Sequence, residues 1–399
     1  MAGARTALET SGAAAYYDPA GLAGAPQTRL DLGMADVGSS LAYNRRDAGS
    51  DGFAAGTLSL VLPLPGKLSG AAFGLYGFFP GDDLGHIVSR DAATPQFLQP
   101  SGIHRFVIFS GLGYRLGPVA LGVGLQLLNS AQGSLDLSED LGAATIGSRT
   151  LTLDLLPRIS PVAGIDLDAT SELRIAASYR GASQVGLTLP SNVDLGPLAF
   201  DLQLAAVSLY RPPTWTVALA WHQGDAPAKV EAPATPAPTP FEIDAEISWL
   251  QWSQLPDPAL AASFTPSSAL LPSMATVPPQ LGLSDTLVAR VGGRLHVAGP
   301  VTAMAGYAYT PTPVPAQTGP TNLLDCTSHD LALGVSIDFD DPLDLSSGPV
   351  SLILAGQYQI LVARSAVKSD PLDLHGDGSY GGSLWLASAS LAFRFGGTK

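Results

Sequence analysis

Apolar and polar residues alternate along much of this chain with a period of two. From Leu331 to Phe339 the apolar positions are Leu331, Leu333, Val335, Ile337 and Phe339, interleaved with Ala332, Gly334, Ser336 and Asp338. Successive side chains of a strand point to opposite faces, so this run predicts a strand with one apolar face and one small or polar face. Phe241, Ile243, Ala245, Ile247 and Trp249 oppose Glu242, Asp244, Glu246 and Ser248 in the same way. Burying three unpaired carboxylates is too costly, so that face is expected to look onto water. Leu173, Ile175, Ala177 and Tyr179 oppose Glu172, Arg174, Ser178 and Arg180; Leu287, Ala289, Val291, Leu295 and Val297 oppose Arg290, Arg294 and His296. Near the end, Trp385, Leu391, Phe393 and Phe395 oppose Ser388, Ser390 and Arg394.

These runs exceed the usual strand length of about 5 to 6 residues and reach the roughly 9 to 11 needed to cross a bilayer at a tilt. Fourteen strands are expected, over 28–44, 53–62, 68–79, 103–116, 118–130, 150–166, 171–186, 200–222, 240–254, 285–297, 300–311, 327–339, 350–364 and 380–395. The eighth contains Pro212 and Pro213, which remove two ladder donors, and is read as one kinked strand. Tight connections such as Leu116 to Pro118 and Ala298 to Pro300 alternate with long ones such as Pro80 to Gly102, Ala131 to Arg149 and Pro256 to Ser284. That alternation suits an all-β, 14-stranded antiparallel transmembrane barrel, which leaves no open edge in lipid. The Pro/Ala-rich segment from Gly224 to Pro240 is too long for a tight turn and reads as an extended, solvated insertion.

Composition sharpens this picture. Charged residues are 14% of the 399, and Gly and Pro number 44 and 33, an excess that disfavours a helical bundle. Mean hydropathy is +0.23, yet no apolar run is long enough for a membrane helix. A net charge of −14 argues against a nucleic-acid partner. Cys326 is the single cysteine, and no two histidines stand at helical ligand spacing, so neither a disulfide framework nor a metal site is expected. No cofactor is expected either. Met1 to Ala15 lacks the apolar stretch of a secretory signal, so a leader for export would have been removed from this sequence.

Three stretches carry a family likeness: AYYDPAGLA at Ala15 to Ala23, WLQWSQL at Trp249 to Leu255, and GYAYTPTPVPAQ at Gly306 to Gln317. Their order and spacing resemble the FadL/TodX-type outer-membrane transporters of long-chain fatty acids and hydrocarbons. The resemblance implies an N-terminal hatch at residues 1–27 inside a barrel at 28–395, with a short tail at 396–399. The hatch motif would be Tyr17, Asp18, Pro19, Ala20 and Gly21, with Asp18 standing where the family carries Asn. Independently, residues 1–26 are rich in small side chains and do not alternate, and a barrel this wide leaves a lumen to be filled.

The family's lateral opening would fall at Gly74, Tyr76, Gly77, Phe78, Phe79 and Pro80, although aromatic residues near a strand end also suit an interfacial girdle. Its ligand-capture loops would contain Leu135, Leu137, Leu141, Ile146, Leu187, Leu189 and Val193, which could equally pack on each other as a lid. Among inward-facing arginines, Arg290 is the candidate anchor for a carboxylated ligand, against the alternative that it pairs with an inward carboxylate. The expected function is passive transport of hydrophobic molecules across a bacterial outer membrane, by a monomer that contacts lipid and the barrel-assembly machinery and is no enzyme. A general diffusion pore for polar solutes is the second reading. A barrel enzyme is the third, with no motif behind it.

Overall fold

The computed structural model describes residues 1–48, 52–81, 96–98, 106–140, 145–194, 199–223, 241–255, 260–266, 274–276, 282–316, 318, 323–369 and 376–396. The alternating runs become strands because one set of side chains can face out while the other faces in. They are β1 (Thr28–Tyr43), β2 (Phe53–Pro63), β3 (Ala71–Pro80), β4 (Val107–Leu116), β5 (Val119–Asp140), β6 (Thr145–Asp168) and β7 (Leu173–Arg180). The second half comprises β8 (Thr214–His222), β9 (Phe241–Leu250), β10 (Thr286–Ala298), β11 (Val301–Thr310), β12 (Ser328–Phe339), β13 (Val350–Ala366) and β14 (Gly378–Phe395). Each pairs antiparallel with the next. β14 then pairs with β1 from Thr28↔Phe395 to Tyr43↔Tyr380, which closes a 14-stranded barrel.

The two faces separate cleanly. Val123, Ile159, Val217, Ile247, Leu287 and Leu333 are exposed on the outside, while Ala120, Gln126, Ser160, Ala176, Ala218 and Ala220 are buried within. Aromatic residues gather at both ends of β7–β9: Tyr179 packs on Trp215 at one end, and Trp221 on Phe241 at the other. The six residue steps from Trp215 to Trp221 span about 20 Å along the strand, close to the apolar band of a membrane barrel.

Four expectations are corrected. Pro212-Pro213 does not kink one long strand; it ends one strand and precedes another. Ala199–Arg211 leaves the wall and pairs with Ser183–Asp194 as a hairpin, while only β8 joins the barrel. Two prolines in a row remove consecutive ladder donors, so the pairing partner changes there. The segment from Ala131 to Arg149 is not a loop throughout: β5 and β6 run on through it as a paired ribbon, with residues 141–144 outside the described set. Leu260–Pro266 and Met274–Thr276 form strands within the expected connection from Pro256 to Ser284. The carboxylates of β9 do not face water: Glu242, Asp244 and Glu246 are buried and bonded to arginines and to the N-terminal segment. The Gly224 to Pro240 segment lies outside the described residues.

Candidate functional site

The N-terminal segment bonds to inward-facing residues of the barrel wall. On one side, Thr6 donates from its backbone N and its hydroxyl to Glu246 Oε2 at 3.3 and 2.6 Å, and Ala7 N donates to Asp244 Oδ2 at 3.1 Å. On the other, Pro19–Gly24 forms a 3-10 turn against β3 to β6. A chain that touches β9 and β10 as well as β3 to β6 must cross the lumen. Glycines in the wall allow its backbone to come this close. A Cβ at Gly122 would stand 2.1 Å from Ala20 N, one at Gly113 2.6 Å from Pro19 O, and one at Gly306 2.2 Å from the Met1 carbonyl carbon.

Asp18 precedes the turn and accepts a hydrogen bond from Ala20 N at 2.8 Å, while Pro19 supplies the fixed φ that starts it. Asp18, Pro19, Ala20 and Gly21 are buried, and Tyr17 ends the preceding helical turn Ala14–Tyr17. Leu22 is fully buried beneath β3, where a Cβ at Gly74 would come within 2.3 Å of its Cδ2.

Above this turn an aromatic cluster forms around Tyr16. Its ring meets Phe109 edge-on at 4.9 Å and Tyr76 at 6.1 Å, beside buried Val107, Leu128 and Val162. The Arg180 guanidinium lies over the Tyr16 ring, 4.1 Å from its centroid. Arg180 Nε is buried without a hydrogen-bond partner. Nothing in the sequence pairs Tyr16 with Arg180, since 164 positions separate them. The only signal was the doubled tyrosine before Asp18 and an arginine on an inward face.

The other inward arginines are engaged. Arg290 Nη1 donates to Glu246 Oε1 at 2.8 Å and to Ser248 Oγ at 2.9 Å, so the residue singled out as an anchor is held by a carboxylate already. Arg294 pairs with Glu242 at 2.5 Å and Arg5 with Glu9 at 2.7 Å; Arg174 donates to Asp168 at 2.7 Å, and Arg115 bonds the same carboxylate. Among the described residues, no cluster of three metal-ligating side chains occurs.

The strand expected to open sideways is fully laddered here. β3 pairs with β2 from Ala72 to Pro80 and with β4 from Ala71 to Phe78, without a register shift. Gly74 and Gly77 therefore do not interrupt the wall. Tyr76 turns into the lumen, Phe78 packs on Phe53, and Phe79 covers Gly77 and meets Phe106. Of the capture residues, Leu135 and Leu137 are brought beside Ser191 and Val193 by parallel pairing, and Leu187 and Leu189 sit in the same hairpin. Ile146 pairs opposite Glu139, and Leu141 lies outside the described residues.

These features define a class: a closed 14-stranded barrel with its N-terminal segment across the lumen. A Pseudomonas aeruginosa FadL homologue superposes with a TM-score of 0.61 at 14% identity, over 98% of this chain and 96% of that one. The toluene transporter TodX of P. putida gives 0.56 at 16% identity, over 97% and 95%. The Ralstonia pickettii toluene transporter TbuX gives 0.55 at 15%, over 96% and 94%. No family model and no curated protein matches the sequence. The chain has the fold of the FadL/TodX-type barrels.

Proposed function

We propose that this protein is an outer-membrane channel that passes hydrophobic molecules without an energy source. The observation that carries this reading is the lumen: an N-terminal segment crosses it, and an aromatic and aliphatic cluster sits on that segment. Tyr16, Tyr76, Phe109, Val107, Leu128 and Val162 offer a site where each buried CH₂ of a ligand contributes about 0.8 kcal/mol. Likeness to solved hydrocarbon transporters supports the same cargo class. A ligand would be collected where the Ser183–Arg211 hairpin meets β5, move to the Tyr16 cluster, and leave once residues 1–27 shift. Leu22 sits on Gly74, so that shift would free the inner face of β3, where lateral exit would begin. A carboxylated ligand would find its anchor at Arg180, because anchoring at Arg290 must first break the pair with Glu246.

A diffusion pore for polar solutes would need an unfilled lumen lined by opposed charges. Here the inward charges pair with one another between adjacent strands, and the N-terminal segment bonds to them. Planar-bilayer conductance of the full chain and of a variant lacking residues 1–27 tests the reading. A large gain on deletion is expected, and equal conductance of the two would overturn it.

A further inference from the structure

We propose that Asp18 of the lumen-crossing segment and Asp166 of β6 form a carboxyl pair that shares one proton, and that this proton latches the segment in the lumen. The proposal rests on the reading that residues 1–27 are a movable plug. Asp18 is 0% exposed and Asp166 1% exposed. Asp18 lies on Gly164 so tightly that a Cβ there would stand 1.7 Å from its Oδ1, and Asp166 is two residues on, on the same inward face. Asp18 Oδ1 is occupied by Ala20 N, but Asp18 Oδ2 and both oxygens of Asp166 are buried without a donor. Two carboxylates can only accept hydrogen bonds. A single proton converts one of them to a donor, satisfies the facing oxygen and removes the repulsion of two like charges.

The surrounding charges do not replace that proton. Arg115 on β4 and Arg174 on β7 approach Asp166, and both are bonded to Asp168, next but one along β6. Arg174 also donates to the Ala7 carbonyl at 3.4 Å. From β9, Asp244 is a further acidic group that interacts with Asp166. β5 contributes Gly122 against Ala20, and β3 contributes Gly74 against Leu22. Along the segment itself the adjacent titratable groups are Tyr16 and Tyr17. Burial first, and the Asp166 carboxylate second, push the Asp18 carboxyl well above the ordinary carboxylate range.

The sign follows from linkage. The docked segment holds a proton that the released, hydrated segment gives up near pH 4. Docking is therefore strongest at low pH. It weakens by up to about tenfold per pH unit above that point, until the docked pair itself ionises. Neutral to alkaline conditions favour release.

The test uses the full chain reconstituted in lipid, with D18N and D166N as probes. In each, the new amide donates to the remaining carboxylate and no proton is needed. Segment release is read as bilayer open probability and as pH-corrected hydrogen exchange at residues 14–24, from about pH 4 to about pH 9. Wild type should open more with rising pH, approaching tenfold per unit over the responsive window, while both variants stay flat and closed. The wild-type-minus-variant infrared spectrum should show a protonated-carboxyl band for both variants. If D18N keeps the wild-type pH response, or the wild-type-minus-variant spectrum shows no protonated-carboxyl band for either variant, the latch is wrong. The plug reading fails separately, if removing residues 1–27 leaves conductance unchanged at every pH.

Discussion

Small changes at single residues should report on how the N-terminal segment is held. Gly122 stands where a Cβ would come 2.1 Å from Ala20 N, so Gly122→Val cannot be accommodated without moving the Pro19–Gly24 turn. The expected outcome is raised bilayer conductance with the barrel intact, checked by heat-dependent gel migration. Leu22→Ala removes a fully buried side chain, and losses of about 2 to 5 kcal/mol are usual for such a change. The loss should appear as faster hydrogen exchange at residues 19–24, with no change in the wall. Under the proposed function, Arg180 is the residue that tests ligand chemistry. Arg180→Gln should weaken a carboxylated ligand by roughly 10- to 100-fold, the worth of a charge-assisted hydrogen bond, and leave neutral hydrocarbons almost unchanged. Calorimetry with a fatty acid and its alkane counterpart checks this. At this scale the sequence was least informative. Alternation placed Arg290 and Glu246 on inward faces correctly, but it could not reveal that they face each other from adjacent strands at 2.8 Å. Nor could it show that Asp244 and Glu246 bind backbone N–H groups some 240 positions away.

Elements were far more legible. The period-two pattern placed all the barrel strands, because the outer face must be apolar and the inner face need not be. It failed where a strand has no lipid to face. The ends of β5 and β6 read as a loop between Ala131 and Arg149, although Ser134, Asp136 and Ser138 still alternate there with Leu135 and Leu137. The same holds for Ser183–Arg211, which pairs outside the wall. Pro212-Pro213 was noticed as an obstacle, yet a pair of prolines does not say whether the chain bends or changes partner. β7 pairs directly with β8 from Leu173 to Arg180, so the hairpin between them is not needed for closure. Replacing residues 183–211 with a short turn should leave barrel assembly and heat resistance unaltered. Hydrophobic ligand capture, measured by binding, should fall instead.

For the whole molecule, the outer belt accounts for the low charge and positive hydropathy that first set this chain apart. Val217 lies between the Trp215 and Trp221 rims and is 57% exposed. Val217→Arg should cost about 2 to 4 kcal/mol in lipid, as charged substitutions do at the midplane of membrane barrels. Reversible unfolding in bilayers measures that cost, and the same substitution at the inward-facing Ala218 would instead report on the packing of Ala7.

The seam between β1 and β14 has a consequence for how the protein is made. All sixteen residues of β1 pair with the far end of the chain, from Thr28 against Phe395 onward. The first strand synthesised therefore waits for the last one, holding a long unsatisfied edge throughout, and such edges invite pairing with other chains. Closing so distant a pair is also slow. During that interval the N-terminal segment has no enclosed space to occupy, since its seats belong to strands from β2 to β12. Biogenesis must therefore end with two events at once, the zipping of a seam and the trapping of the segment behind it, and a partner that guards the first strand's edge would be required only until then.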